Sequence, residues 1–413
     1  MTLLLMTLFC LYNIVLSLLY ILLYIPLYLF LRYKKYSSTM HTYQSSVQNG
    51  ILVHAASVGE INAVKPLLIK LLNNDRSLRI VLTTNTLAGY QLGSQIHPKI
   101  ECHLAPLDFL HLRLKQLSRQ APKLIIIVET EIWLNLLFAA KLNGIKVVFV
   151  NARMSEKTLT KLNLIKPLIQ YVTKSLVMVC CQSEEHRARF DILLGCKAKT
   201  CGNLKYAVDL PAFDEANLRS GFGYQQNDDI ICFGSSRPGE EKLILKCFDE
   251  IKEKYPEIKL ILAPRHLNRM DEILMLLRGY RFSRHSKSEK ADQIHIFDTI
   301  GDLCKAYAIC DIAIVGGSFY DFGGHNPLEP AFYAKPIIIG TFHQSCRDSV
   351  RKLQSKQGVL VSDPLKLISD IEMLLANKDL RHETGLRAKA VLDANANALN
   401  VHFEYVAEHL EYK

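Results

Sequence analysis

DIAIVGGSFYDFGGHNPLEP, residues 311–330, opens with an apolar, β-branched run (Asp311–Val315) and passes into Gly316-Gly317-Ser318. A second glycine pair follows, Gly323-Gly324, and then His325-Asn326-Pro327-Leu328-Glu329-Pro330. The run predicts a buried strand, and a helix is expected near Pro327, whose fixed φ suits a first turn. Strand, glycine loop and helix in this order form the repeating unit of a parallel α/β sheet. Glycines let backbone N–H groups approach a phosphate without an intervening Cβ, and a helix N-terminus favours an anion. Glu329, in the first turn, can accept hydrogen bonds from a ribose diol. Gly316, Gly317, Ser318, Gly324, Asn326 and Glu329 are therefore candidate nucleotide-binding residues. The plainer reading is a glycine-rich loop with a capping carboxylate.

Outward from this stretch the same pattern recurs. Strand-like runs occur at Ile51–Ala55, Arg79–Thr83, Leu124–Val128, Lys146–Val150 and Leu176–Cys181, and again at Asp229–Phe233, Lys259–Ala263, Ile294–Phe297, Pro336–Ile339 and Val359–Val361. Helical spacers separate them, which predicts two Rossmann-like α/β domains facing a cleft. Pro, Asp, Gly and Gln accumulate between Leu204 and Asn227. The expected division is an N-terminal anchor over 1–35, a first domain over 36–210 that begins with a polar linker to Gly50, a joint over 211–226 and a second domain over 227–413. The last helix of the second domain is a candidate to pack back on the first. Neither a G-x-G-x-x-G fingerprint nor a Walker A motif is present, which argues against a dinucleotide enzyme or a P-loop ATPase.

Polar residues follow the strands of both halves, and in open parallel sheets ligands bind beyond the carboxyl ends of the strands. In the second half, Ser235 and Ser236 of Gly234-Ser235-Ser236-Arg237 can cap a helix and hold phosphate oxygens, and Arg265 and His266 can balance phosphate charge or contact a base. In the first half, Ser57-Val58-Gly59-Glu60 places a carboxylate just past the first strand. A sugar acceptor hydroxyl needs a base as its new bond forms, and Glu60 is the first candidate. Glu129 and Glu131 are the second pair, with contacts to Arg153 or to helix ends as their structural alternative. Ser57, Gly59 and Arg153 are candidate acceptor contacts, and Trp133 is read as packing.

Composition narrows the class. The 413 residues carry a formal net charge of +10, but the charge is scattered, which favours an acidic lipid surface or a phosphorylated substrate over nucleic acid. The 11 Cys show no C-x-x-C pair and the 14 His no zinc spacing, so reduced buried thiols are expected, with no metal and no cofactor. Residues 1–31 contain no charged side chain and are followed by Arg32, Lys34 and Lys35. That length can span a bilayer as a helix, and the positive cluster places the rest of the chain in the cytoplasm. Pro26 is expected to kink the span or mark its end.

His54–Glu60, Glu129-Thr130-Glu131-Ile132-Trp133, Asn151-Ala152-Arg153-Met154-Ser155, Gly202-Asn203-Leu204-Lys205, Ala263-Pro264-Arg265-His266 and Gly323–Pro330 together resemble the Kdo (3-deoxy-D-manno-oct-2-ulosonic acid) transferases of lipopolysaccharide assembly. The resemblance implies a GT-B glycosyltransferase at the inner membrane that moves Kdo from CMP-Kdo to a lipid A precursor, with inversion and without a metal ion. It implies Glu60 as acceptor base, and Ser235, Arg265, Gly317, Asn326 and Glu329 around CMP. Two departures stand out. Trp133-Leu134-Asn135 replaces the usual Trp-Pro-Asn, and Ser235-Ser236-Arg237-Pro238 replaces Ser-Thr-His-Glu, which leaves the role of Arg237 open. The competing readings are a GT-B enzyme using a UDP-sugar, a nucleotide-sugar epimerase of the same fold, and a non-enzymatic membrane scaffold.

Overall fold

A computed structural model describes residues 2–42, 49–129, 131–195, 198–208 and 210–410. Thr130 and residues 43–48 of the expected polar linker lie outside them. The chain divides into two units, Met1–Ala207 with Asn397–Lys413, and Val208–Ala396.

The first unit is built on a seven-stranded parallel sheet of order β3-β2-β1-β4-β5-β6-β7. Its strands are β1 Ile51–His54, β2 Ile80–Thr84, β3 Ile100–Leu104, β4 Leu124–Val128, β5 Lys146–Ala152, β6 Leu176–Cys181 and β7 Ala198–Thr200. Ile51, Leu52 and Val53, and every residue of β4, are buried, as expected of strands covered on both faces by helices. β3 and β7 were not legible as runs. β3 alternates Ile100, Cys102 and Leu104 with half-exposed Glu101 and His103, as an edge strand does, and β7 has only three residues.

The second unit has its own seven-stranded parallel sheet, order β10-β11-β9-β8-β12-β13-β14. These strands are β8 Ile230–Ser236, β9 Lys259–Pro264, β10 Phe282–Arg284, β11 Ile294–Ile296, β12 Ile312–Val315, β13 Ile337–Gly340 and β14 Val359–Ser362. Two Rossmann-like α/β units are thus present. In each, the chain direction across the sheet reverses beside the first strand, between β1 and β4 and between β8 and β12. That is where a ligand crevice opens at the carboxyl ends.

The stretch read as a joint and the last helix, a candidate to pack back on the first domain, are placed as follows. The stretch read as a joint holds the helix Glu215–Phe222, fastened inside the second unit by Arg219, which bonds to the Ile309 carbonyl (3.0 Å) and Asp311 (2.7 Å). The final helix, Ala398–Leu410, belongs to the first unit, where Val406 and Leu410 join the core. His402 on that helix donates from Nδ1 to the Ala398 carbonyl (2.8 Å) and accepts the Asn151 N–H at Nε2 (3.0 Å), which pins the end of β5. Burial holds this imidazole neutral, with a pKa of about 4.

The apolar N-terminus forms two helices, Thr2–Leu22 and Tyr24–Tyr33, bent by 73° at Leu23. The break lies three residues before Pro26, whose ring clashes with the carbonyl four residues earlier, that of Leu22. Among the described residues no single helix is long and apolar enough to cross a membrane, and the bent pair meets the requirement only together. Nor does the segment stand apart as expected of a separate anchor. Phe9 is only 5% exposed and packs edge-on against Phe138 (5.4 Å), and the Tyr20 hydroxyl donates to the Met40 carbonyl (2.8 Å). The other side is open: Leu11, Leu18, Ile21, Leu22 and Ile25 are all more than half exposed.

Candidate active site

At the switch point of the first unit, Ser57 caps the helix Val58–Asn74 by accepting the Glu60 N–H (3.4 Å). The Glu60 carboxylate turns back. Oε2 accepts the Ala56 N–H (2.7 Å) and Oε1 the Ser57 hydroxyl (3.1 Å). This is the reciprocal logic of a capping box, and alone it would make Glu60 a structural residue. Its electrostatics add something a cap does not need. Glu60 is 9% exposed. Burial, with Glu129 and Glu131 nearby, pushes its pKa up to about 7 against the pull of the Ala56 and Ser57 hydrogen bonds. A carboxyl held at that value can exchange a proton near neutrality.

Glu129 follows β4 with φ +59, a left-handed conformation costly for a side chain of this size. The turn aims its buried carboxylate at two cations, Arg153 Nε (2.6 Å) and Lys205 Nζ (2.9 Å). The structural alternative weighed for Glu129, a contact to Arg153, is therefore present. Its charge is compensated, and its proximity raises Glu60. Glu131, half-buried, is itself raised by burial. Lys205 was not singled out as a site residue, although its motif was noted. Gly59 lies in the first turn beside Glu60, and Trp133 packs edge-on to His54 (5.7 Å) with the Arg113 guanidinium over its ring (5.7 Å).

In the second unit the two glycine loops lie against each other. The Gly316 N–H donates to the Gly234 carbonyl (2.8 Å), and a Cβ on Gly316 would come within 2.6 Å of the Ser235 carbonyl oxygen, so only glycine permits the approach. Ser235 sits on a bulge in β8 with φ +59. The loops do not present their amides as expected. The Glu240 carboxylate, fully buried, accepts the N–H groups of Arg237 (2.9 Å), Gly317 (2.7 Å), Ser318 (2.9 Å) and Phe319 (2.9 Å). The anion held by this cradle is the protein's own. Burial pushes the Glu240 pKa up in spite of these donors.

Two candidate ligand hydroxyls are likewise internal. Ser236 and Ser318 are both 0% exposed. Ser236 Oγ donates to Glu241 (2.8 Å), and Ser318 Oγ donates to the Val315 carbonyl while accepting the Gly340 N–H (2.7 Å). Neither is available to a ligand. Nor does Ser235 or Ser236 cap the next helix, which begins at Glu240 behind Gly239. The helix after Asn326 has only five residues, Leu328–Phe332, too few for a sizeable dipole.

What remains open is a set of basic side chains. Arg265 and His266, both exposed, follow β9. Arg237 Nη1 meets His266 Nε2, and its guanidinium lies over the Phe322 ring (4.7 Å). Burial, then Arg265, Arg237 and His266, lower the His325 pKa to about 4. Glu329, mostly buried, is raised by burial and restrained by Asn326 and Arg265. Asn326 also accepts the Leu328 N–H (3.1 Å). Thus Arg265, His266, Asn326 and Glu329 share one neighbourhood with Arg237 and His325, two residues that the sequence reading did not select.

Comparison with known proteins identifies the family. Residues 30–208 match the family model described as 3-Deoxy-D-manno-octulosonic-acid transferase (kdotransferase). A 3-deoxy-D-manno-octulosonic acid transferase of Haemophilus influenzae is 33% identical over 379 residues, covering 88% of this chain and 87% of the relative. One from Bordetella pertussis is 30% identical over 367 residues, covering 84% of each. Among solved structures, MurG of Acinetobacter baumannii superposes with a TM-score of 0.54 at 12% identity, over 87% of this chain and 99% of that one, a likeness of fold alone. With a relative of this identity matched over nearly its whole length, the chain belongs to the 3-deoxy-D-manno-octulosonic acid transferase family of glycosyltransferases.

Proposed function

We propose that this chain transfers Kdo from CMP-Kdo to a lipid A precursor during lipopolysaccharide core synthesis, at the cytoplasmic face of the inner membrane, with inversion and without a metal ion. The observation that carries the reading is Glu60, a carboxyl tuned to about 7 at the switch point of the first unit. Glu60 takes the proton of the acceptor hydroxyl as that oxygen bonds to the anomeric carbon. The bond from the anomeric carbon to the phosphate oxygen breaks, its electron pair stays on the phosphate, and CMP leaves. Only one phosphate must be neutralised, a charge that Arg265 and Arg237 are suited to meet. The test is product mass. Full-length protein in detergent, given CMP-Kdo and a tetraacyl lipid A precursor, should yield a Kdo-bearing lipid in excess EDTA, and UDP-sugars should yield nothing. Transfer from a UDP-sugar, or loss in EDTA with rescue by Mg²⁺, would overturn it.

Glu329 supplies a second test. A charge-assisted hydrogen bond to a ribose hydroxyl is worth roughly 1.5–3 kcal/mol before desolvation, so Glu329→Ala should weaken CMP binding about 10–100-fold. It should also remove most of the preference for CMP over deoxy-CMP in titration calorimetry. Equal discrimination in both proteins would take Glu329 off the ribose.

The bent helix pair supports association with the lipid surface through its open side, with Arg32, Lys34 and Lys35 beside it. Leu18→Asp with Leu22→Asp places two charges on exposed positions, 55% and 75% exposed, and should cut binding to anionic vesicles at least ~10-fold with the fold intact. Unchanged flotation would show that this face does not meet lipid.

A further inference from the structure

The helix Leu134–Leu142 starts three positions after Glu131 and has no cap of its own. Its N-cap residue, Trp133, makes no side-chain cap bond, and its first turn holds no acidic residue. The acceptor comes from elsewhere in the chain, from Asp108 in the loop after β3. Asp108 Oδ2 accepts the Asn135 N–H (3.0 Å), Oδ1 accepts the Leu136 N–H (3.0 Å), and the Asp108 carbonyl accepts the Asn135 side-chain amide (2.6 Å). A carboxylate placed on two N–H groups of a helix start also meets the positive end of the helix dipole.

Asp108 is itself fixed. Arg113, 1% exposed, donates from Nε to Asp108 Oδ1 (3.1 Å) and from Nη1 to Gln116 (3.1 Å), and its guanidinium lies over the Trp133 ring (5.7 Å). Trp133 in turn meets His54, the last residue of β1, edge-on (5.7 Å). On the other side of Glu131, Glu129 is tied to Arg153 (2.6 Å) and Lys205 (2.9 Å), and its N–H to the Val150 carbonyl (2.9 Å). Residues 131–133 belong to no helix or strand. Glu131 therefore stands on a short irregular span with both ends fastened, at Glu129 by two cations and at Asn135 and Leu136 by Asp108.

The spacing matters because repulsion between like charges falls with distance. The carboxylates acting on Glu60 are Glu129 and Glu131. The first is compensated by Arg153 and Lys205. On Glu131 itself, Trp133 and Glu129 act in opposite senses. His54 is held neutral by burial and by Arg113.

We propose that Asp108 is a positioning residue: by capping the helix Leu134–Leu142 it fixes where Glu131 stands relative to Glu60, and so sets the pH at which transfer switches on. The proposal rests on the reading of Glu60 as the base. It also gives weight to Leu134, the first residue of the helix. A proline there would set the turn through its fixed φ, whereas leucine leaves the start of the helix to Asp108.

The experiment is the single-turnover pH profile of the full chain in detergent. Asp108→Asn keeps the shape and one acceptor oxygen but gives up the charge. The freed span lets the two carboxylates separate, so the acid limb should move to lower pH by roughly 0.5–1 unit. In a Glu131→Gln background the same change should move the limb no further. Leu134→Pro added to Asp108→Asn should return part of the shift, since Trp133 already has the extended conformation (ψ 102) that a following proline requires. If Asp108→Asn melts too low to assay, Asp108→Asn with Arg113→Gln, which removes the buried charge together with its partner, takes its place. A limb that stays in place or rises in a folded variant reduces Asp108 to a helix cap and overturns the proposal. A shift that persists in Glu131→Gln overturns it too, because the effect then does not pass through Glu131. Near wild-type turnover in Glu60→Gln fails the base reading instead. The spacing is then judged on the carboxyl ¹³C titration of Glu60, assigned by its loss in Glu60→Gln, and an equal midpoint in wild type and Asp108→Asn overturns the proposal without any turnover.

Discussion

Glu60→Gln should leave fold and CMP binding intact and reduce transfer by ~10²–10⁴-fold, the usual cost of losing a general base. The amide is nearly isosteric and its oxygen can still accept the Ala56 N–H, which Glu60 Oε2 now holds at 2.7 Å. What it cannot do is take a proton. The wild-type pH profile should carry the signature of the same group. A base works deprotonated, so with the Glu60 pKa at about 7 the rate should rise tenfold per pH unit below that value and level off above it. Glu131 raises Glu60 through its charge, so Glu131→Gln should move the limb to lower pH. Single-turnover rates across pH 5–9 check both. Near wild-type turnover in Glu60→Gln would reduce Glu60 to a helix cap and move the base to Glu129 or Glu131.

Glu240→Ala should be the most destabilising change in the second unit. Four backbone N–H groups, from Arg237, Gly317, Ser318 and Phe319, lose their acceptor at once. Removing one partner from a buried charged network costs about 3–5 kcal/mol. For a unit of this size that lowers the melting temperature by roughly 6–20 °C. Because the same carboxylate holds the backbone of Arg237 and Gly317, nucleotide binding should fall with it. Glu240→Gln, which retains one acceptor oxygen, should lie between. A melting temperature within about 2 °C of wild type in the alanine variant would mean that water replaces the carboxylate and that the loop does not depend on it.

How far the site could be read in the sequence depends on the range of the interactions that build it. Ser57 and Glu60 are three residues apart on one helical turn, and their motif could be read directly. Glu329 and Asn326 are equally local. The destination of the Gly317 amide could not be read that way, since it is set by Glu240, 77 positions earlier in the chain. A glycine loop that cradles phosphate and one that cradles an internal carboxylate look alike in sequence. Ser236 and Ser318 were misplaced for a different reason: their partners, Glu241 and the Val315 carbonyl, are only five and three residues away, but the complete burial of both hydroxyls is set by the packing around them.

The sequence by itself determined the class. β-branched runs alternating with helical spacers impose parallel α/β sheets, because strands that read as apolar on both faces must be covered on both. It also determined that Glu60 follows the first strand, that glycines lie at the carboxyl ends of the strands, and that the first 31 residues are apolar. Only the tertiary structure decided that the N-terminal helix bends at Leu23 and buries Phe9, that the joint holds a helix fastened inside the second unit, and that Glu240 fills the glycine cradle. The physical reason is one of distance along the chain. Periodicity and capping are written within a turn or two of a helix or strand, whereas the partner that satisfies a buried amide or leaves a nitrogen bare is brought in by the packing of separate loops.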